Sequence, residues 1–170
     1  MKKTIVLICG ALLIVFCQFA LPVSALSEEK IAIISDHCES IRDSLKTTQK
    51  NDAKARVYLG RRYETIFNNY IVPLNVKLVE NNISNADMVK LQNEFADSKG
   101  VFANDYVNYQ QVLEELVGMD CKKEPEPFYE KLELTRKKRK TVEQDVLKLR
   151  DLLSQYTKLL NKIRGKLNEQ

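Results

Sequence analysis

The sequence predicts an all-α fold: three long helices packed as an antiparallel coiled-coil bundle behind an N-terminal export signal. Three observations predict it. Over residues 127–167, side chains recur alternately every four and three positions: Phe128, Leu132, Thr135, Arg139, Val142, Val146, Leu149, Leu153, Tyr156, Leu160, Ile163 and Leu167. All but Thr135 and Arg139 are apolar, which is the rhythm that keeps one seam of a helix facing its partners over many turns. Two earlier stretches carry the same rhythm, and the residues between seam positions are mostly Lys, Arg, Glu, Asp and Gln, favoured in helices and solvated. The chain also has no Trp, with 5 Gly and 4 Pro, a composition that fits helices better than many short strands.

The first 25 residues read as a signal peptide. Lys2 and Lys3 precede an apolar run from Ile5 to Phe16, and Val23-Ser24-Ala25 fits the small-residue cleavage rule. Cleavage after Ala25 leaves residues 26–170 as one helical domain; the alternative is an uncleaved anchor, since Thr4 to Leu21 is nearly long enough to span a bilayer. Ile8 and Phe16 are too bulky to precede lipid-attachment cysteines, so Cys9 and Cys17 leave with the signal. Loss of Lys2 and Lys3 lowers the formal charge from +4 to +2. That balance lacks the concentrated basic excess of a nucleic-acid binder, so no nucleic-acid partner is expected.

The first helix is expected over residues 27–81. Ser27 caps it, Glu28 and Glu29 favour its dipole, and Leu26 with Ile31 has staple spacing. Its seam runs through Ile34, Cys38, Ile41 and Leu45, fades over the polar residues 46–54, and resumes at Leu59, Tyr63, Ile66 and Tyr70. The polar stretch is either loosened or left uncovered. Pro73 predicts a kink near Asn69 to Val72, because proline removes one helical hydrogen bond and crowds the turn before it. Asn81 and Asn82 suit a left-handed helix end.

A tight hairpin leads to the second helix, over 84–117, with Ser84 and Asp87 as a shortened capping box and Ile83 with Met88 as a staple. Its seam reads Met88, Leu91, Phe95, Ser98, Phe102, Tyr106, Tyr109, Leu113 and Leu116. Gly118 ends it, and Pro127 can open the third helix, over 127–168. The third helix is longer by several residues and is expected to overshoot the hairpin by a few turns. Leu153, Tyr156, Leu160, Ile163 and Leu167 are therefore candidates for contact with a second subunit or another protein partner.

Cys38 and Cys121 are the cysteines left after the signal, and an even count in an exported chain favours a disulfide over two free thiols. Folding at the hairpin places Val117 beside about Asn51, leaving Cys38 roughly 18 Å further along the first helix at 1.5 Å per residue. Four extended residues cover about 13 Å, and a disulfide spans about another 5 to 6 Å between Cα atoms. The lengths match, and such a bridge contributes about 2 to 4 kcal/mol.

Few residues suggest chemistry. His37 is the single histidine, and it points about 100° away from its neighbour Cys38 on a helix, so the two do not face one site. Arg136, Lys137, Lys138, Arg139 and Lys140 form the strongest charge run and a candidate patch for an anionic partner. They also spread round the whole helix beside Glu130, Glu133 and Glu143, as a solvated face does. Arg139 occupies a seam position, where a polar residue can set register. Tyr63, Tyr70, Tyr106 and Tyr109 fall on seams, as core residues or as the lining of a groove. No phosphate loop, zinc spacing or nucleophile elbow is present, so neither an enzyme nor a bound cofactor is expected.

The segments "ARVYLGRRYETIFNNYIVPLNVKLVENNIS", "FANDYVNYQQVLEELVGMDC" and "EPFYEKLELTRKKR" resemble uncharacterised exported helical proteins of ultrasmall candidate-phylum bacteria, Saccharibacteria among them. The resemblance covers residues 38 to about 145. It implies pairing of Cys38 with Cys121 and a place in the cell envelope, and it carries no known activity. In architecture alone the chain also resembles periplasmic holdase chaperones of the Skp type, whose small β-rich body has no counterpart here. The expected function is thus a non-enzymatic structural or protein-interaction component of the envelope, with a holdase-like chaperone as the alternative. Partners are expected through coiled-coil seams, and membrane contact only through an uncleaved signal segment.

Overall fold

The computed structural model describes residues 27–83 and 85–168. Among the described residues five α-helices follow one another: α1 (Glu28–Asp36), α2 (Cys38–Ile66), α3 (Val72–Glu80), α4 (Ala86–Gly118) and α5 (Pro125–Asn168), with a π-helical turn (Phe67–Ile71) between α2 and α3. Among the described residues there is no strand. α1, α2, the π turn and α3 make up the expected first helix, so the three-helix bundle holds with its first member jointed. The expected signal peptide, the Leu26 staple and the Ser84 cap lie outside the described residues.

Ser27 accepts the Lys30 amide at 3.4 Å, and Glu28 and Glu29 occupy the first turn of α1. The first joint falls at His37, whose backbone (φ −103°, ψ 14°) interrupts the helix just before Cys38. Residues 46–54, expected as the weak point, stay helical.

The second joint is at Pro73. The proline has no N–H to offer Asn69, and the ladder widens: the Val72 amide reaches back five residues to the Phe67 carbonyl. The extra residue in that turn shifts the buried face by one position. Ile71 is buried at 2% exposure, whereas Tyr70, expected on the seam, is 66% exposed.

α3 ends as the asparagines predict. Asn82 sits at φ 57°, with its amide on the Val79 carbonyl and the Ile83 amide on the Leu78 carbonyl, the paired bonds of a left-handed helix stop.

α4 and α5 are the principal packed pair. All nine expected seam residues of α4, from Met88 to Leu116, are buried. At 33 and 44 residues the two helices measure about 50 Å and 66 Å. α5 begins at Pro125, two residues before the expected start, and its seam buries Phe128, Thr135, Leu149, Leu152 and Tyr156. Leu152 is off the expected seam; at 3.6 residues per turn a straight helix drifts off a heptad, which brings a neighbouring position inward.

The interior is divided in two. One cluster joins Ile34 and Cys38 to Tyr109, Leu113, Leu116, Cys121 and Phe128. The other joins Tyr63, Ile71 and Leu78 to the first half of α4 and to Leu149, Leu152 and Tyr156. Cys38 and Cys121 are disulfide-bonded with Cα atoms 5.5 Å apart, as the length arithmetic requires. The bond fastens the α4–α5 connection to the start of α2.

Candidate functional site

α2 is fully buried only at its two ends; between them Ile41, Leu45 and Leu59 pack partly against the core clusters. Cys38 and Tyr63 are its buried residues, and from Glu39 to Arg62 no side chain is buried. At the Tyr63 end the anchoring is aromatic: Tyr63 meets Phe95 and Phe102 edge-on, each with ring centroids 6.0 Å apart. Phe67 stacks on Phe95, with Lys99 4.6 Å above the Phe67 ring. The Lys99 ammonium is in turn paired with Glu64.

Halfway between these anchors a polar tie joins three helices. Asp52 of α2 accepts Arg139 of α5 on both carboxylate oxygens, Nε to Oδ2 at 2.7 Å and Nη2 to Oδ1 at 2.9 Å. It also accepts the Tyr109 hydroxyl of α4 at 2.6 Å. The two-pronged match of guanidinium to carboxylate fixes orientation as well as distance.

Burial alone would raise the Asp52 carboxyl, but the hydrogen bonds from Arg139 and Tyr109 and the Arg139 charge outweigh it and hold the group below its ordinary 3.8. Tyr109 is pushed up by burial and by its bond to Asp52. Arg139 is raised by the same carboxylate. The tie is therefore ionised and closed at neutral pH. Its members are held by one another, which suits them to positioning α2 and not to proton transfer.

Beside the tie, between α2 and the α4–α5 pair, lies a cleft of about 290 Å³ with Leu59, Phe102, Val142 and Val146 among its walls and Arg56 and Glu143 at its polar part. On the other side of α2 a second hollow of about 320 Å³ runs against α4, beside Val57, Gly60 and Ala103. Tyr106 of α4 faces α2, with Arg56 over its ring at 5.3 Å, and burial raises its hydroxyl pKa.

The residues singled out by the sequence are dispersed over the molecule. In the basic run, Arg136 pairs with Glu133 at 2.5 Å and Arg139 is engaged with Asp52. Lys137 and Lys140 are exposed and Lys138 is half-buried, so the five do not form one anionic-partner patch. Tyr156 is buried, and Leu153, Leu160 and Ile163 pack against the chain's own core. Lys162 and Lys166 still stand beside Asn85–Met88, which cuts the expected overhang to the last turn. Leu167 is left 47% exposed. His37 is exposed at the first joint, and among the described residues no three metal-ligating side chains gather.

Sequence reasoning misses Asp52 because it sits in the polar stretch that offers no seam. Its one signal is an arginine on the opposing seam with no carboxylate assigned to it. No protein-family model matches the chain, and comparison with curated proteins and with solved structures gives no match.

Proposed function

We propose that the chain is an exported, non-enzymatic helical protein serving as a structural and protein-interaction component of the cell envelope, with α2 as its contact element. The observation that carries this reading is a long helix held at both ends and at its middle, yet burying no side chain from Glu39 to Arg62. Ordering a residue costs about 1 to 2 kcal/mol of backbone entropy, and against that the stretch sets the partial burial of Ile41, Leu45 and Leu59 on the two core clusters and leaves its outer side, with Val57 and Tyr58, in the open. Holding it straight makes sense if its surface is used. Export is supported by the basic-then-apolar N-terminus, by the resemblance stated above, and by the Cys38–Cys121 bond, which oxidising compartments preserve.

The holdase alternative calls for an apolar cleft that admits an unfolded segment. The cleft at the Asp52 tie, about 290 Å³, has room for on the order of ten waters at about 30 Å³ each. The larger hollow of about 760 Å³ is lined by α2 alone, from Ala53 to Thr65, with no second helix to enclose a client segment, which gives that reading little support.

The test is a photo-crosslinking amino acid at Val57, with the same substitution at Val79 of α3 as control, in cells fractionated after illumination. One discrete adduct from position 57 in the envelope fraction, absent from position 79, is the expected result. Absence of any adduct, the same smear of many proteins from both positions, or recovery of the chain in the cytosol overturns the reading.

A further inference from the structure

We infer that the exposed side of α2 docks an acidic amphipathic helix belonging to a protein partner. This rests on α2 being the contact element and adds the chemistry of what it contacts. Between residues 50 and 62 the chain carries Lys50, Lys54, Arg56, Arg61 and Arg62 against one carboxylate, Asp52, and Asp52 is taken by Arg139 and Tyr109. Among the described residues none of the five bases forms an ion pair. Arg62 donates instead to the Tyr58 hydroxyl at 3.2 Å, and Arg56 lies over Tyr106.

Lys50, Lys54 and Arg61 recur at helical spacing along one side over about 16 Å. Lys50 and Lys54, four residues apart, repel by a few tenths of a kcal/mol, and carboxylates at matching spacing on a second helix relieve that repulsion.

The bases frame an apolar strip. Val57 is 43% and Tyr58 61% exposed, and beside Val57 the hollow against α4 passes over Gly60 and Ala103. A Cβ at Gly60 would meet nothing within 4 Å, so the floor there is open to a side chain from outside. Phosphate headgroups or a bare polyanion supply the charge but no apolar residues to set into that hollow. An acidic helix with a stripe of Leu supplies both, in the helix-in-groove mode of recognition.

The experiment uses the oxidised full chain and a fluorescein-labelled synthetic helix bearing Glu at successive i,i+4 positions beside a Leu stripe, read by fluorescence anisotropy. The comparison probes are the same helix with Lys for Glu, polyglutamate, and phosphatidylglycerol vesicles. Saturable binding of the Glu/Leu helix that weakens as salt rises is expected. The Lys54→Glu/Arg61→Glu double variant should lower that affinity about tenfold or more. Lys137→Glu/Lys140→Glu should leave it unchanged. All four sites are exposed, and circular dichroism verifies that helicity is retained. No binding of the Glu/Leu helix, equal binding by Lys54→Glu/Arg61→Glu, or tighter binding of polyglutamate or vesicles through the same residues overturns the inference. A discrete adduct at position 57 together with failure of the acidic helix removes the acidic partner and leaves α2 as the contact element; loss of the adduct removes both.

Discussion

Two aspartates show how the same side chain acts with opposite sign in one bundle. Asp52 is held below 3.8 despite burial, because Arg139 and Tyr109 bond its charged form. Its stabilising effect is therefore complete above the ordinary carboxyl pKa and is lost as pH falls through the lower folded value. Asp145 is displaced upward by burial and by facing Asp105 across the α4–α5 pair, and its buried Oδ2 has no hydrogen-bond partner among the described residues. Its folded form favours the proton, so its contribution is complete below the ordinary 3.8 and is lost as pH rises through the folded value. Asp52→Asn should lower stability at pH 7 by about 1 kcal/mol, a discounted figure because Arg139 is 58% exposed, and should flatten the acid side of the profile. Asp145→Asn should instead raise the melting temperature at pH 7, with the gain shrinking toward about pH 4 as both forms become neutral. Thermal melts of both variants across this range check the signs. A loss at neutral pH for Asp145→Asn would show that its charge is satisfied.

The π turn matters at the scale of elements because it decides what α3 presents to α5. Advancing the buried face by one residue puts Ile71 and Asn75 inward, and Asn75 is 4% exposed. Its amide donates to Gln92 Oε1 at 2.8 Å, while its Oδ1 accepts the Tyr156 hydroxyl at 2.8 Å. That hydroxyl also lies 3.3 Å from the Ile71 carbonyl, and burial raises its pKa to about 12. Tyr156→Phe removes the shared donor and leaves buried acceptors short, at a cost of about 1 to 2 kcal/mol. Urea unfolding should show this as a lower midpoint with an unchanged slope; an unchanged midpoint would mean water replaces the hydroxyl. The whole α4 seam is legible from spacing because its period is local. Pro73 signals a joint, but whether the helix breaks or widens depends on the packing of Ile71 against α4 and α5, which no local pattern carries. The Asp52–Arg139 pairing, 87 residues apart, depends on the stagger of helices. Arg139 at a seam position is half of that signal, and its carboxylate lies in a stretch with no apolar period to place it.

Over the whole molecule, the disulfide and the divided core imply that the two ends of α2 respond differently to reduction. The Cys38–Cys121 bond closes a separation of 83 residues, and native disulfides of this kind contribute about 2 to 4 kcal/mol, mainly by restricting the unfolded chain. It also anchors the smaller cluster, where α1 contributes Ile34 and the loop contributes Cys121 itself. The Tyr63 end needs no such bond, because its aromatic contacts and the Tyr156 tie are on its own side. Cys38→Ser/Cys121→Ser should lose stability by that amount, with hydrogen exchange rising across α1 and the first half of α2 while α3 and the neighbouring part of α4 stay protected. Light scattering should give the same mass oxidised and reduced, since the bond is within one chain and Leu153, Leu160 and Ile163 are packed on their own core. A mass that halves on reduction would mean that the bridge joins two chains. Uniform loss of protection would mean that α2 and the α4–α5 pair unfold as one unit and that the two core clusters are not independently stable.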